Sequence, residues 1–255
     1  MHRRAIIGTS PRIVKAKTTP TSPRHGLTKL SRALTGQASR QKLRLRTSQV
    51  QSETFNMPKT TVNKPRLVLA SSSRYRLALL EQIGIRPLCQ APNINESAQA
   101  NERASALARR LSIAKAYAVA SQHPNSLIIA SDQCAELDQQ ILGKPGTAER
   151  ARQQLSQCSG REVIFHTGLC LLNSQTGHMQ DCVETVTTAF RSLSSTEIQN
   201  YVHREPALDC AGSFKMEGLG ISLFRHIRSD DPNTLIGLPL IRLIDFLINE
   251  NFPLL

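Results

Sequence analysis

From Lys64 onward, apolar residues alternate between short unbroken runs and stripes that repeat every three to four positions. Residues 67–70 form a short apolar run and predict a buried strand. Ser71–Ser73 then offer hydroxyls to cap a helix that carries Leu77, Leu80 and Ile83 and stops at Gly84. A longer helix is expected over 102–121, with Leu107, Leu111, Ala114 and Ala118 on one stripe and His123-Pro124 at its end. Residues 127–130 read as the next buried strand, delivering Ser131-Asp132-Gln133 at its carboxyl end. Thr147 caps a helix bearing Ala151, Leu155 and Cys158, with Gly160 as its stop. Two strand-like stretches, 163–172 and 180–191, flank a turn at 173–177 and predict a hairpin. Ser194-x-x-Glu197 is a capping box opening a helix with Ile198, Tyr201 and Val202. The last helix, over 239–249, places Leu240, Leu243, Ile244, Leu247 and Ile248 on one face. Alternating strands and helices of this kind define an α/β fold with a central sheet flanked by helices.

Composition adds bounds to this picture. The chain has 255 residues, 40% of them hydrophobic, enough to bury a sizeable core. No run approaches the roughly 20 apolar residues that span a bilayer, so a soluble, cytoplasmic protein without membrane contact is expected. The formal charge of +13 invites a nucleic-acid reading, but its distribution argues against one. Residues 1–56 hold twelve of the 32 Lys and Arg and only one of the 19 acids, Glu53, which leaves 20 and 18 for residues 57–255. The basic character therefore belongs to a Ser-, Thr- and Arg-rich leading segment with no apolar period. Such a segment buries too little surface to offset its ordering entropy, and disorder is expected there. It reads as a mitochondrial transit peptide, as a nucleic-acid-binding tail, or as an upstream extension ahead of a natural start at Met57. The third reading is preferred, which puts the functional domain at 57–255. Six cysteines (Cys89, Cys134, Cys158, Cys170, Cys182, Cys210) are spread without a C-x-x-C pair, which predicts reduced thiols and no structural zinc.

The candidate chemistry lies where predicted strands end. In LASSSRYRLALL, residues 69–80, a strand runs into hydroxyls at a helix N-terminus, a place that favours an anion. Arg74 and Arg76 in the first turn oppose the helix dipole, so a bound anion explains them better than stability does. Ser131-Asp132-Gln133 supplies an acid after a buried strand, suited to a cap, a general base or a cation ligand. Gly143-Lys144-Pro145 is expected to hold an ammonium on a rigid turn. Glu96 and Lys115 are unremarkable singly. There is no G-x-x-x-x-G-K-[ST], so this is not a P-loop enzyme. Residues 212–220 (GSFKMEGLG) lack the strand–helix context of a dinucleotide fingerprint. His166, His178 and His203 form no triad or ligand pattern and are expected at the surface or as satisfied core residues.

Taken in order, these segments resemble the Maf family of nucleotide pyrophosphatases. The matching pieces are LASSSRYRLALL, Asn95-Glu96, Lys115 in a helix, SDQ at 131–133, GKP at 143–145, TGL at 167–169, AGSFKMEGLG at 211–220 and IGLPL at 236–240. The match starts at about Arg66 and runs to the C-terminus. The resemblance implies an inosine-triphosphatase-like fold with two lobes around a cleft. It also implies a divalent cation, Mg2+ or Mn2+, and hydrolysis of a nucleoside triphosphate to monophosphate and diphosphate. On this resemblance Asp132 is the catalytic carboxylate, as proton acceptor or metal ligand, and both roles stay open. Ser71, Ser73, Arg76, Lys115 and Lys144 would bind phosphates, and Glu96 would help Asp132 at the metal. Two positions depart from the pattern: Arg74 stands where the family usually has proline, and Asn95 where an acid is common.

The same resemblance bears on the substrate. Maf proteins with Thr after the catalytic Asp and Arg before the catalytic Arg look like dTTP/UTP pyrophosphatases. Here Gln133, Tyr75 and Glu217 are similar to the 7-methyl-GTP pyrophosphatase subfamily. N7-methylguanine carries a positive ring charge that an aromatic face attracts, and a carboxylate can accept from the guanine N1–H and N2–H₂ edge. The expected function is hydrolysis of 7-methyl-GTP, which removes a modified nucleotide from the pool. The alternatives are the dTTP/UTP activity of the sister subfamily and a non-catalytic nucleic-acid or division-related interaction protein. The expected partner is the nucleotide itself, with a homodimer left open.

Overall fold

In a computed structural model the structure describes residues 65–255, so the reading of residues 1–56 lies outside it. A seven-stranded mixed sheet forms the spine. The strands are β1 (Arg66–Leu69), β2 (Leu88–Cys89), β3 (Ser126–Leu137), β4 (Gln140–Leu142), β5 (Glu162–Asn173), β6 (Met179–Phe190) and β7 (Phe224–Arg228). Their order is β2-β1-β3-β5-β6-β7, with β4 paired to the far end of β3. β1 runs parallel to both β2 and β3, and the remaining pairs are antiparallel. Five helices pack on the sheet: α1 (Arg74–Gln82), α2 (Ala104–Ala120), α3 (Ala148–Cys158), α4 (Ser195–Arg204) and α5 (Leu240–Asn249).

The helices begin where their caps dictate. Ser73 accepts from the Arg76 N–H, Thr147 from the Arg150 N–H, and Ser194 with Glu197 closes the expected capping box. The hairpin of β5 and β6 lies where alternation placed it, registered Leu172 to Met179 at its closed end.

Two hydrophobic cores share the long strands. One gathers Leu69, Leu80, Leu127, Ile129, Leu169 and Leu171 of the sheet and α1 against Leu240, Leu243 and Leu247 of α5. On the other face of the same strands, α2 covers Val68, Ile128, Ala130 and Cys170 with Ala116 and Val119. The second core lies at the other end of β3 and β5, where Leu155 of α3 and Tyr201 and Val202 of α4 surround an aromatic cluster. In that cluster Phe165, Phe190, Phe214 and Phe224 meet edge to face, with centroids 4.8 to 6.3 Å apart. The cleft is lined from both, by Ile236 beside the first core and by Phe214 and Leu235 of the second.

β3 is the main correction to the sequence reading. It does not end at Ala130 but runs on to Leu137, so Ser131-Asp132-Gln133 sits mid-strand and not at a carboxyl end. Three polar residues resemble a turn in sequence, yet each finds a partner here and the strand continues. β2, β4 and β7 are short and were not expected. α2 lies unusually near β5, because a β-carbon at Gly168 would overlap the Ala108 carbonyl. Gly168 is the register partner of Asp132, so this close approach holds α2 directly over the polar stretch of β3.

Candidate active site

Lys115, from the buried face of α2, crosses to β3 and meets two carboxylates. Its Nζ lies 2.5 Å from Asp132 Oδ1 and 2.7 Å from Glu96 Oε1. Lys115 and Asp132 are only 6% and 8% exposed, so each charge depends on the other for compensation. Lys144 adds a second ammonium 3.7 Å from Glu96 Oε2. Desolvation pushes the Glu96 carboxyl upward, but its bond to Lys115 and the charges of Lys115, Lys144 and Arg76 outweigh this and hold it below the ordinary carboxylate value. Asp132 Oδ2 has a weaker contact, with the Cys134 thiol at 3.8 Å. That thiol is pushed up to about 12 by burial and the Asp132 charge, so it stays protonated.

The N-terminus of α1 forms the adjoining wall. Ser71 Oγ accepts from the Ser73 N–H at 3.1 Å and from Arg76 at 3.3 Å. The Arg76 Nε donates to the Gly237 carbonyl at 2.8 Å, which also accepts from Ser131 Oγ at 2.8 Å. Burial pulls the Arg76 guanidinium below its ordinary value, and the charges of Asp132 and Glu96 oppose that. A desolvated guanidinium beside hydroxyls and a helix N-terminus is a place for an oxyanion.

Tyr75, Gln133 and Glu217 line the same cleft, a cavity of about 720 Å³. The Gln133 amide donates to Thr167 Oγ1 at 2.9 Å and to the Thr234 and Leu235 carbonyls at 2.9 and 3.2 Å. Its donors are thereby engaged by protein, and its oxygen is what it can offer a ligand. Tyr75 already holds a cation, since the Arg74 guanidinium lies 4.9 Å from its ring centroid and donates to its hydroxyl. Glu217 stands at the rim on the loop between two 3-10 turns, Ala211–Ser213 and Leu219–Leu223. Partial desolvation and then the Glu205 charge hold its carboxyl above the ordinary value, against Lys215 and Arg74.

All ten residues singled out in the sequence therefore lie around one cleft. Two expectations change. Gly143-Lys144-Pro145 follows β4 without a hydrogen-bonded turn, and the Lys144 side chain is 64% exposed. His178 and His203 are surface residues, but His166 on β5 is not a satisfied core histidine. Neither of its ring nitrogens has a hydrogen-bond partner, and Nε2 stands 3.4 Å from Glu136. Sequence reasoning also missed the Gly237 carbonyl, which anchors Arg76 and carries no residue-type signal. All six cysteines are free, as expected.

Among the described residues no group of three or more His, Cys, Asp or Glu side chains could hold a metal ion. Asp132 and Glu96 give two hard oxygen donors, a set that fits Mg2+ bound through one or two carboxylates and the substrate's own phosphates. Among the described residues no helix is long and apolar enough to cross a membrane.

This fold and cleft define a mixed α/β protein equipped for a polyanion beside a carboxylate. The family model for Maf-like protein matches residues 66–250, and the chain belongs to the Maf family. It is 55% identical over 185 residues to a 7-methyl-GTP pyrophosphatase of Pseudomonas fluorescens, covering 72% of this chain and 96% of that one. It is 50% identical over 191 residues to the protein of that name in Nitrosococcus oceani, covering 75% and 96%. The corresponding Pseudomonas aeruginosa protein is 52% identical over 186 residues, covering 73% and 97%. A weaker likeness, TM-score 0.44 at 14% identity over 72% of this chain and 99% of the other, is to the structure of the Staphylococcus aureus Ham1 protein.

Proposed function

We propose that this chain hydrolyses 7-methyl-GTP to 7-methyl-GMP and diphosphate. The observation that carries the reading is the meeting of Tyr75, Gln133 and Glu217 with the Lys115–Asp132–Glu96 cluster in one cleft. The names of the similar proteins point the same way.

In this reading the triphosphate lies along the cationic wall. Ser71, Ser73, Arg76 and the free amides of α1 take phosphate oxygens, and Lys144 reaches them from the exposed side. Lys115 fixes Asp132 through Oδ1, which leaves Oδ2 as the face that takes a proton from water as the water attacks the α-phosphorus. The bond from that phosphorus to the bridging oxygen breaks, and the electron pair leaves with diphosphate, whose charge Arg76 and Lys144 offset. Glu96 would hold a divalent cation, with Asp132 beside it where that carboxylate is a ligand and not the base; the cation's chemistry is to neutralise phosphate charge and polarise the phosphoryl group. The base stacks on Tyr75, which already receives the cationic Arg74, and its N1–H and N2–H₂ edge donates to Glu217.

A panel of 7-methyl-GTP, GTP, UTP and dTTP, run with and without Mg2+, tests this. We expect metal-dependent release of diphosphate with the highest kcat/KM on 7-methyl-GTP. A preference for UTP and dTTP would assign the chain to the sister activity, and no turnover of any of the four would remove the catalytic reading.

A further inference from the structure

The loop that presents Glu217 has no regular structure of its own, yet a base-reading carboxylate must be held within a fraction of an ångström to discriminate. Glu205, the residue that caps the C-terminus of α4, supplies the hold. Its Oε2 accepts from the Gly220 N–H at 3.2 Å and from the Tyr201 hydroxyl at 3.5 Å. Tyr201 in turn accepts from the Lys215 N–H at 3.1 Å. The Lys215 carbonyl closes the loop on itself by accepting from the Gly218 and Gly220 N–H groups at 3.4 and 3.1 Å. Both ends of the segment 215–220 are thus tied to one carboxylate and one phenol on α4.

Packing agrees with the hydrogen bonds. A β-carbon at Gly218 would overlap Glu205 Oε1, so a side chain there would push the carboxylate away, and one at Gly220 would overlap the Lys215 carbonyl of the loop itself. Glu205 is half-buried and, among the described residues, forms no ion pair with a Lys, Arg or His. A carboxylate in that position without a cation is costly for stability alone. Its partners are the loop amide and the phenol that holds the loop's other end. Its charge also contributes to holding the Glu217 carboxyl above the ordinary value.

We infer that Glu205 is a positioning residue for base selection: it clamps the 215–220 loop, through Gly220 and Tyr201, so that Glu217 faces the nucleobase. This rests on the reading of Glu217 as the residue that meets the base. The test compares full-length wild type, Glu217→Ala, Glu205→Ala, Glu205→Gln and Gly218→Ala on 7-methyl-GTP and UTP. Glu205→Ala is expected to raise KM for 7-methyl-GTP about ten-fold and to lower the 7-methyl-GTP/UTP ratio of kcat/KM by a similar factor, with kcat on both within about three-fold. Glu205→Gln keeps an acceptor for the Gly220 N–H and should recover most of the ratio. Gly218→Ala displaces the carboxylate from the loop side and should reproduce the Glu205→Ala pattern, which keeps the test alive if Glu205→Ala does not fold. If Glu217→Ala changes the ratio while Glu205→Ala and Gly218→Ala leave it intact, or cut turnover of both substrates equally, the clamp is wrong. If Glu217→Ala itself leaves the ratio unchanged, it is the assignment of Glu217 to the base that fails.

Discussion

At the scale of single residues, the site is organised by one lysine shared between two acids. Lys115 binds Asp132 and Glu96 at 2.5 and 2.7 Å, so removing one negative charge does not leave the ammonium alone in the interior. Asp132→Asn keeps shape and an acceptor for Lys115 but loses the carboxylate proposed as the proton acceptor. We expect kcat/KM to fall by about 10²- to 10⁴-fold with the thermal midpoint close to wild type; turnover at the wild-type rate would exclude Asp132 as the base. The acids and bases of this cluster were legible in sequence because residue type and order identify them. What sequence could not give is that Lys115, sixteen residues before Ser131 in another element, reaches Asp132 at all. Glu205 was invisible for a related reason. An acid at a helix end reads as solvated, and only the folded loop shows what it holds. His166 escaped as well, since orphaned ring nitrogens are a property of the packing around them.

At the scale of elements, helices were the most legible, because caps and stripes are local. Ser73, Thr147 and Ser194 open their helices where expected. The stripe of α5 buries Leu240, Leu243 and Leu247 and leaves Ile248 54% exposed, so the predicted face is slightly too wide. Leu243 has no exposed surface and packs in the core that supports α1 and β1. Leu243→Ala should cost about 2–5 kcal/mol in a denaturant melt; a loss well under 1 kcal/mol would mean that the core closes around the missing side chain. Strands were less legible. β3 was cut short because polarity at 131–133 imitates a turn, and β2, β4 and β7 owe their existence to neighbours they pair with rather than to their own pattern.

At the scale of the whole molecule, charge and chemistry divide along the chain. The family match starts at residue 66, while the excess of Lys and Arg lies in residues 1–56. A chain starting at Met57 should keep kcat/KM within about two-fold and lose most of its retention on a polyanionic resin at low salt. A large loss of turnover on that deletion would make the leading segment part of the enzyme. Within the domain, Arg76 stands on α1, Lys115 on α2 and Asp132 on β3, elements packed into the hydrophobic clusters of the sheet, and Glu217 stands on a loop tied to α4.

That β3 passes unbroken beneath the cleft joins positions that would otherwise vary apart. Asp132 and Gln133 are neighbours on that strand, and the 209–220 segment is anchored to more than α4, since Phe214 packs in the aromatic cluster and Ser213 donates to Gln154 of α3. In the proposed reading, bond cleavage and part of nucleotide choice therefore share one strand and are inherited together. A lineage that takes up a different nucleotide then has to edit three separate elements, α1, β3 and the 209–220 segment, one of which also carries Asp132.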